Sequence, residues 1–320
     1  MIKKISNKLK QVLYLIKYFG FRQGLFEFLS AIFGTESILG KKFNFYKHEN
    51  AKKYIRTRYG NIIQELKEKE EEMKKKETPI SENQNVWIFW WQGEEGMPLI
   101  VKQCIKSIKK YMGNHQVIVL SEENLFQYVE VPEEIYNKLK EGKFTITNFS
   151  DYIRCLILSQ YGGIWLDSTI FLTDNIDYLL KGKKFFSVKH GENENVHVCK
   201  GKWMTSVLAA GENNYLFLFC KSILEEYLKR EDMMITYLLI DCIIAIAYEE
   251  IDSIKQEIDI VEKNNEKYIY MDHNFLEKYD GSIDNVLISQ NIHKLSYKVP
   301  YYSKNEDTNY HYIVRKILEQ

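Results

Sequence analysis

No charge of either sign predominates in this sequence: Lys and Arg together number 44, and so do Asp and Glu. A dedicated nucleic-acid binder draws its affinity from phosphate neutralisation by excess basic charge, so the balance argues against that class. Cysteine is sparse. Cys104, Cys155, Cys199, Cys220 and Cys242 are odd in number, widely spaced and form no C-x-x-C pair, which argues against a disulfide framework or a zinc site. Most of them fall in apolar runs and read as small core residues. No apolar stretch is long enough to span a bilayer; the longest, Tyr237–Tyr248, is too short and contains Asp241. A secretory leader is not visible, since the N-terminus has neither an uninterrupted apolar segment nor a small-residue cleavage site. The cytoplasm is the expected compartment. There is no internal repeat. What is present is core material: 45% hydrophobic and 14% aromatic residues in 320, enough for one large domain or one domain with attachments.

The first segment, MIKKISNKLKQVLYLIKYFGFRQ, has no acidic residue before Glu27. Ile2, Ile5, Leu9, Val12, Leu13 and Ile16 recur at helical spacing, with Lys3, Lys4, Lys8 and Lys10 mostly off that stripe. Such a helix can lie on an anionic membrane or pack on the protein's own surface; periodicity does not choose between them. Residues Gln64–Asn85 read as a solvated charged helix running into a loop, with Glu70 and Lys74 spaced to pair. The chain therefore divides into a helical extension, residues 1–85, and a main domain, residues 86–320.

In the main domain, Val86–Trp91 reads as a strand, the residues after Pro98 as a helix presenting Val101, Ile105, Ile108 and Met112, and Gln116–Leu120 as a second strand. Helices are expected near Glu122–Tyr128, Glu133–Lys140, Thr147–Tyr161, Asn213–Lys229 and Thr236–Glu250, strands at Ile164–Leu166 and Lys184–Lys189, and short strand-like runs over Lys267–Tyr302. The alternation predicts an α/β fold with a mainly parallel sheet.

One segment carries the chemistry: SDYIRCLILSQYGGIWLDST, Ser150–Thr169. Asp151 and Arg154 stand three apart on a helix and can pair. The Gly162–Gly163 pair reverses the chain, and a short strand places Asp167 at its carboxyl end, where ligands bind in open α/β sheets. A carboxylate there can meet a ribose hydroxyl or a divalent cation. The alternative is a surface salt bridge and an ordinary turn aspartate; residue by residue that fits, but the combination fits it poorly.

These twenty residues resemble the S-D-x-x-R…Y-G-G-x-W-x-D-x-T signature of the capsular-polysaccharide-synthesis family. WIFWWQGEEGMPLIVKQCIKSIKK, Trp87–Lys110, is similar to that family's opening strand, and Val131-Pro132-Glu133 stands where the family tends to have such a step. The resemblance spans Val86–Tyr302. It implies a GT-A-like nucleotide-diphospho-sugar transferase fold, related to sugar transferases with a D-x-D motif, and transfer from a nucleotide-sugar, expected to be a UDP-sugar, to a glycan or lipid-linked glycan, with anomeric configuration retained.

Carried over, Asp151 and Arg154 hold the donor sugar, and Asp167 meets the ribose or a metal-bound diphosphate. Trp90 or Trp91 lies near the base, with Gln92, Gly93 and Gly163 around the nucleotide. Of the three tryptophans, Trp87 and one of the other two are expected in the core, since strand neighbours face opposite sides. Asp167, Thr169 and His293 are the candidate ligands of a Mn²⁺ or Mg²⁺ ion. Where the D-x-D relatives have a second Asp this chain has Thr169, which weakens the expectation of metal dependence. In NIHKLSYK, His293, Lys294 and Lys298 are placed to neutralise the leaving diphosphate, with a solvated loop as the alternative. Asp241, in the apolar LLIDCIIAIA, needs a partner if buried; it is a candidate base or acceptor contact, or a structural carboxyl. Two other functions compete: a nucleotide- or glycan-binding protein without catalysis, and a peripheral membrane scaffold.

Overall fold

The computed structural model describes residues 2–34, 37–190, 197–298 and 307–318, with side chains from residue 9 to residue 314 within those spans. Ile2, Lys3, Lys4, Ile5 and Lys8 therefore lie outside the described side chains, and Tyr302 outside the described residues. The chain starts with five helices: α1 (Ile2–Phe19), α2 (Phe21–Phe33), α3 (Ile38–Arg58), α4 (Gly60–Glu68) and α5 (Glu70–Lys76). Strands and helices then alternate: β1 (Val86–Phe89), α6 (Leu99–Tyr111), β2 (Val117–Leu120), α7 (Glu133–Lys140), α8 (Ile146–Tyr161), β3 (Gly163–Leu166), β4 (Ile170–Leu172), α9 (Asp177–Leu180), β5 (Phe185–Ser187) and β6 (Val207–Ala210). The remainder is α10 (Tyr215–Arg230), α11 (Leu239–Glu250), α12 (Asp252–Ile260), α13 (Tyr270–Asn274), α14 (Ser282–Ser289), β7 (Ile292–Lys294) and α15 (Asn309–Leu318).

The central sheet has the order β2-β1-β3-β6-β5. β1 pairs in parallel with β2 and β3, while β6 runs antiparallel to both β3 and β5. Four strands thus share one direction and β6 alone opposes them, so the sheet is mainly parallel. β1, β3, β5 and β6 are buried at every residue, the pattern of strands covered on both faces. The edge strand β2 alternates half-buried and buried residues. A second sheet, antiparallel, joins β4 to β7.

Sequence pattern and structure agree at α6: Val101, Ile105, Ile108 and Met112 are all buried. α8 begins with a reciprocal cap, Thr145 with Asn148, which satisfies donors the first turn leaves open. It ends at Gly162, whose φ of +59° suits glycine. Two readings change. Glu122–Tyr128 forms turns and a single 3-10 turn, Leu125–Gln127, because Asn124 turns back to bond the Ser121 amide and the Val119 carbonyl. Lys267–Tyr302, within the described residues, holds two short helices, α13 and α14, with β7 its only strand and turns between them.

The N-terminal helices are tied to the main domain. Lys52 and Arg56 of α3 bond Glu249 at 2.6 Å each, and Arg56 bonds Glu250 at 2.5 Å. Across residue 85, the Ile80 amide donates to the Lys183 carbonyl (2.7 Å) and the Tyr215 amide to Glu77 (2.6 Å). The charged run is two helices: Glu70 accepts from the Ser253 amide, and Lys76 pairs with Glu72.

Candidate active site

The carboxyl ends of β1 and β3 open into a cavity of about 560 Å³, within the usual range for small-ligand pockets. Its walls come from three places. After β1 stand Trp90, Trp91 and Gln92. From α8 and the end of β3 come Ser150, Arg154, Asp167, Ser168 and Thr169. The third wall is Lys294–Lys298, with Tyr237 and Asp272 beside it.

Asp167 is the centre of this arrangement. Side chains two apart on a strand share a face, so the Trp165 indole reaches forward and donates to Asp167 Oδ1 at 3.1 Å. Arg154 Nη2 donates to the same oxygen at 3.1 Å, and Lys294 Nζ to Oδ2 at 3.0 Å. Arg154 also donates to the Thr205 carbonyl at 2.6 Å, pairs with Asp151 at 3.4 Å and lies over the Trp165 ring. Burial opposes ionisation of Asp167, but Lys294 and Arg154 outweigh it and hold the carboxyl at about 2. Asp151 behaves oppositely: burial, only partly countered by Arg154, pushes it up to about 7.

Lys294 arrives through the second sheet. Ile170 on β4 registers with Lys294 on β7, the Lys294 amide donates to the Tyr268 carbonyl, and the Leu295 amide donates to the Thr169 carbonyl, both at 3.0 Å. The carboxylate and the ammonium are thus fixed by adjoining backbone.

The expected residues divide. Arg154, Asp167, Thr169, Trp90, Trp91, Gln92, Lys294 and Lys298 line the cavity. Asp151 stands behind Arg154 and is not part of the lining. The tryptophan expectation changes: Trp87 is core, its indole bonded to the Gly162 carbonyl at 3.0 Å, but both Trp90 and Trp91 are half-buried at the cavity. β1 ends at Phe89, so strand alternation no longer applies to them. Trp90 meets Tyr297 edge-on, and its buried indole nitrogen has no partner. Gly93 is a turn residue with φ +72°. Gly163 serves close packing: a Cβ there would stand 2.6 Å from the Asn85 carbonyl oxygen and 2.7 Å from the Trp87 indole nitrogen.

His293 is the clearest correction. It is fully buried and outside the lining; its Nε2 stands 3.5 Å from Thr173 Oγ1, and burial pushes it down to about 4. Strand alternation explains why: if Lys294 faces Asp167, His293 faces away. Asp241 also lies outside the cavity. It accepts from the Trp203 indole at 2.9 Å, and burial, against that hydrogen bond, pushes it up to about 6.

Asp167, Thr169 and His293 accordingly do not form one set of metal ligands. Among the described residues no group of three His, Cys, Asp or Glu converges on a metal position. Both Asp167 oxygens already accept from cationic groups, so the donor chemistry does not fit a resident divalent cation. Sequence reasoning passed over Trp165, Tyr237, Asp272 and Tyr297. Trp165 had a signal, its spacing of two from Asp167, and Tyr297 stands within NIHKLSYK beside Lys298; Tyr237 and Asp272 reach the site through tertiary placement alone.

Fold and site together define an α/β protein with a charged cleft at the carboxyl edge of a mainly parallel sheet. Residues 35–313 match the family model described as capsular polysaccharide synthesis protein, and the chain belongs to that family. It is 30% identical over 108 residues to O-glycosyltransferase braB of Annulohypoxylon truncatum, covering 31% of this chain and 26% of that protein. It is 24% identical over 107 residues to O-glycosyltransferase PaGT of Phomopsis amygdali, with the same shares. The chain thus spans about a quarter of the length of these curated relatives. Among solved structures it is similar to PaToxG Glycosyltransferase, at 15% identity and a TM-score of 0.40, over 66% of this chain and 82% of that one.

Proposed function

We propose that this protein is a glycosyltransferase of GT-A-like fold that moves a sugar from a nucleotide-diphospho-sugar, in the first instance a UDP-sugar, to a cell-surface glycan, with residues 86–320 as the catalytic part. Family membership and the names of the curated relatives support the reaction class. The observation that carries it is the Asp167 carboxylate, clamped between Arg154 and Lys294 at the end of β3 and facing a cavity of about 560 Å³. Trp90 and Trp91 offer ring surface to a base, and the unpartnered Trp90 indole N–H offers a donor to it or to the ribose. Arg154 faces the sugar, with Asp151 positioning it from behind. Lys294 and Lys298 face the diphosphate.

In the transfer, the bond from the anomeric carbon to the diphosphate oxygen breaks with its electron pair left on oxygen. An acceptor hydroxyl oxygen bonds the same carbon and releases its proton to water. Fixed cations placed where charge develops lower the barrier. Retention of configuration is carried over from the family resemblance.

A membrane-bound acceptor belongs to the same proposal. Eleven large apolar or aromatic side chains between Leu9 and Tyr46 are exposed, against nine in all the other described residues. Residues 1–46 hold eight Lys or Arg and two Glu. Exposed apolar surface within a basic segment suits an anionic lipid surface. Among the described residues no helix is long and apolar enough to cross a membrane, so the contact is peripheral, on the cytoplasmic face where activated sugars are made. Gln23 of α2 donates to the Ile235 carbonyl at 2.9 Å, next to the loop that carries Tyr237 into the cavity wall. That link sets the basic helices beside the cavity.

The test is donor hydrolysis without acceptor, across UDP-glucose, UDP-galactose, UDP-N-acetylglucosamine and GDP-mannose. Release of nucleotide diphosphate by wild type and not by Asp167→Asn is expected. Binding of a nucleotide without any hydrolysis would favour the non-catalytic binder instead.

A further inference from the structure

We propose that Lys294 supplies the positive charge that a divalent cation would otherwise bring to the donor diphosphate, so that nucleotide binding at this site needs no metal. The inference rests on the glycosyltransferase function proposed above and deepens it.

A metal held at the end of β3 would need a carboxylate with an open oxygen, since Mg²⁺ and Mn²⁺ are bound through one or two carboxylates plus the phosphates they bridge. Arg154 and Trp165 fill Oδ1, and the Lys294 ammonium takes one of the two acceptor sites on Oδ2 at 3.0 Å, so a cation on the other would stand against a fixed positive charge. The second position of the motif is Thr169, whose neutral hydroxyl offers no anionic oxygen in place of a second carboxylate.

Lys294 is not a flexible side chain that has drifted into place. Its backbone is locked by the β4–β7 register and by its own amide bond to Tyr268, and β4 begins just after Asp167. The sheet therefore delivers the ammonium to the carboxylate as part of the fold. Formal charges favour an anion. Arg154, Lys294 and Lys298 line the cavity against Asp167 and Asp272, leaving one net positive charge among the lining side chains. The Lys294 side chain is still a quarter exposed, and its ammonium gives one of three donors to Asp167, so a donor remains available to a phosphate oxygen. Asp167 then serves to aim Lys294 and Arg154 and does not act as a metal ligand.

The experiment is a calorimetric titration of the whole chain with UDP, GDP, ADP and dTDP, each in excess EDTA and in MnCl₂. Wild type should bind one of them with the same affinity in both conditions. Lys294→Gln should bind that nucleotide about 10- to 100-fold more weakly in EDTA, and Lys294→Arg should keep most of the affinity. Circular dichroism and the unliganded melting temperature establish that each variant folds. If wild type binds only when Mn²⁺ is present, the inference is overturned while the donor site stands. If no nucleotide binds in either condition, the donor site itself fails and the inference with it.

Discussion

Residues 150–169 and residues 9–46 break the same packing rule in opposite directions. The first segment puts charge inside: Asp151 and Arg154 are buried and Asp167 is half-buried, in the middle of a sheet protein. The second puts apolar surface outside, with Leu13, Phe21 and Ile38 all more than 60% exposed. Both arrangements are costly alone, for buried charge must be paired and exposed apolar patches call for a partner. The difference lies in where the partner comes from. Each charge near β3 finds its counter-charge within the chain, so geometry and chemistry are fixed before a ligand arrives. In α1–α3 part of the apolar surface packs inward, as Leu15, Phe19 and Ile55 do, while Leu13, Phe21 and Ile38 stay exposed, the kind of surface that calls for a partner outside the chain.

Breaking the inner arrangement should have the largest effect. Arg154→Met removes the group that pairs both Asp151 and Asp167 and leaves two carboxylates facing each other in a shielded site. A stability loss of about 3–5 kcal/mol is expected in urea unfolding, together with loss of turnover. A change below about 1 kcal/mol would mean that water already screens these charges. Asp167→Asn is gentler on the fold, because an amide oxygen still accepts from Trp165 and Arg154. Donor turnover should nonetheless fall roughly 10²- to 10³-fold, as Lys294 and Arg154 lose the charge that aims them. Turnover within a few-fold of wild type would remove Asp167 from the mechanism.

The pH dependence sharpens the same contrast within the inner region. The Asp241 carboxyl is pushed by burial up to about 6. Between the unfolded value near 4 and that level, the folded state holds more protons than the unfolded one, so stability falls as pH rises through the window. Asparagine at this position keeps an oxygen for the Trp203 indole and does not titrate. Asp241→Asn should therefore flatten the decline from pH 4 to 7 by about 1–3 kcal/mol. Asp167, held near 2, works the other way: its contribution is complete above about pH 4 and is lost as pH falls toward 2. Parallel stability profiles for wild type and Asp241→Asn would show that the carboxyl is solvated.

The inner region was also the more legible one. A pair spaced for one helix side, a glycine stop and a strand-end carboxylate are local signals, and α8, β3 and Asp167 come from them. The other wall of the cavity was not local. NIHKLSYK offered His293 and Lys294 equally, and only the register of β7 against β4 decides that the lysine faces Asp167 and the histidine the interior. Trp90 and Trp91 misled for a similar reason: alternation assumes a continuing strand, and β1 stops at Phe89. Asp241 was legible as a buried carboxyl in need of a partner, yet nothing in its neighbourhood named Trp203, thirty-eight residues away. At the N-terminus, helical periodicity was visible, but the stripe split: Val12 is buried while Leu9 and Leu13 stay exposed.

That split makes the outer region a test with a small expected effect on the fold. Leu13 and Phe21 sit on the exposed side of α1 and α2, 64% and 65% exposed. Replacing both by Glu removes no buried contact, so stability should move by less than about 0.5 kcal/mol per site. Hydrolysis of a soluble donor should be unchanged, since neither residue reaches the cavity. Co-sedimentation with vesicles of phosphatidylglycerol and phosphatidylcholine should fall by about tenfold or more, because two apolar anchors are lost and two negative charges now face an anionic surface. The helices keep their basic residues in this double variant, so the loss would show that apolar insertion, and not charge alone, holds the protein there. Unchanged binding would move the docking face to the lysines, and loss of donor hydrolysis alongside it would mean that α1 and α2 support the catalytic fold through the Gln23–Ile235 contact.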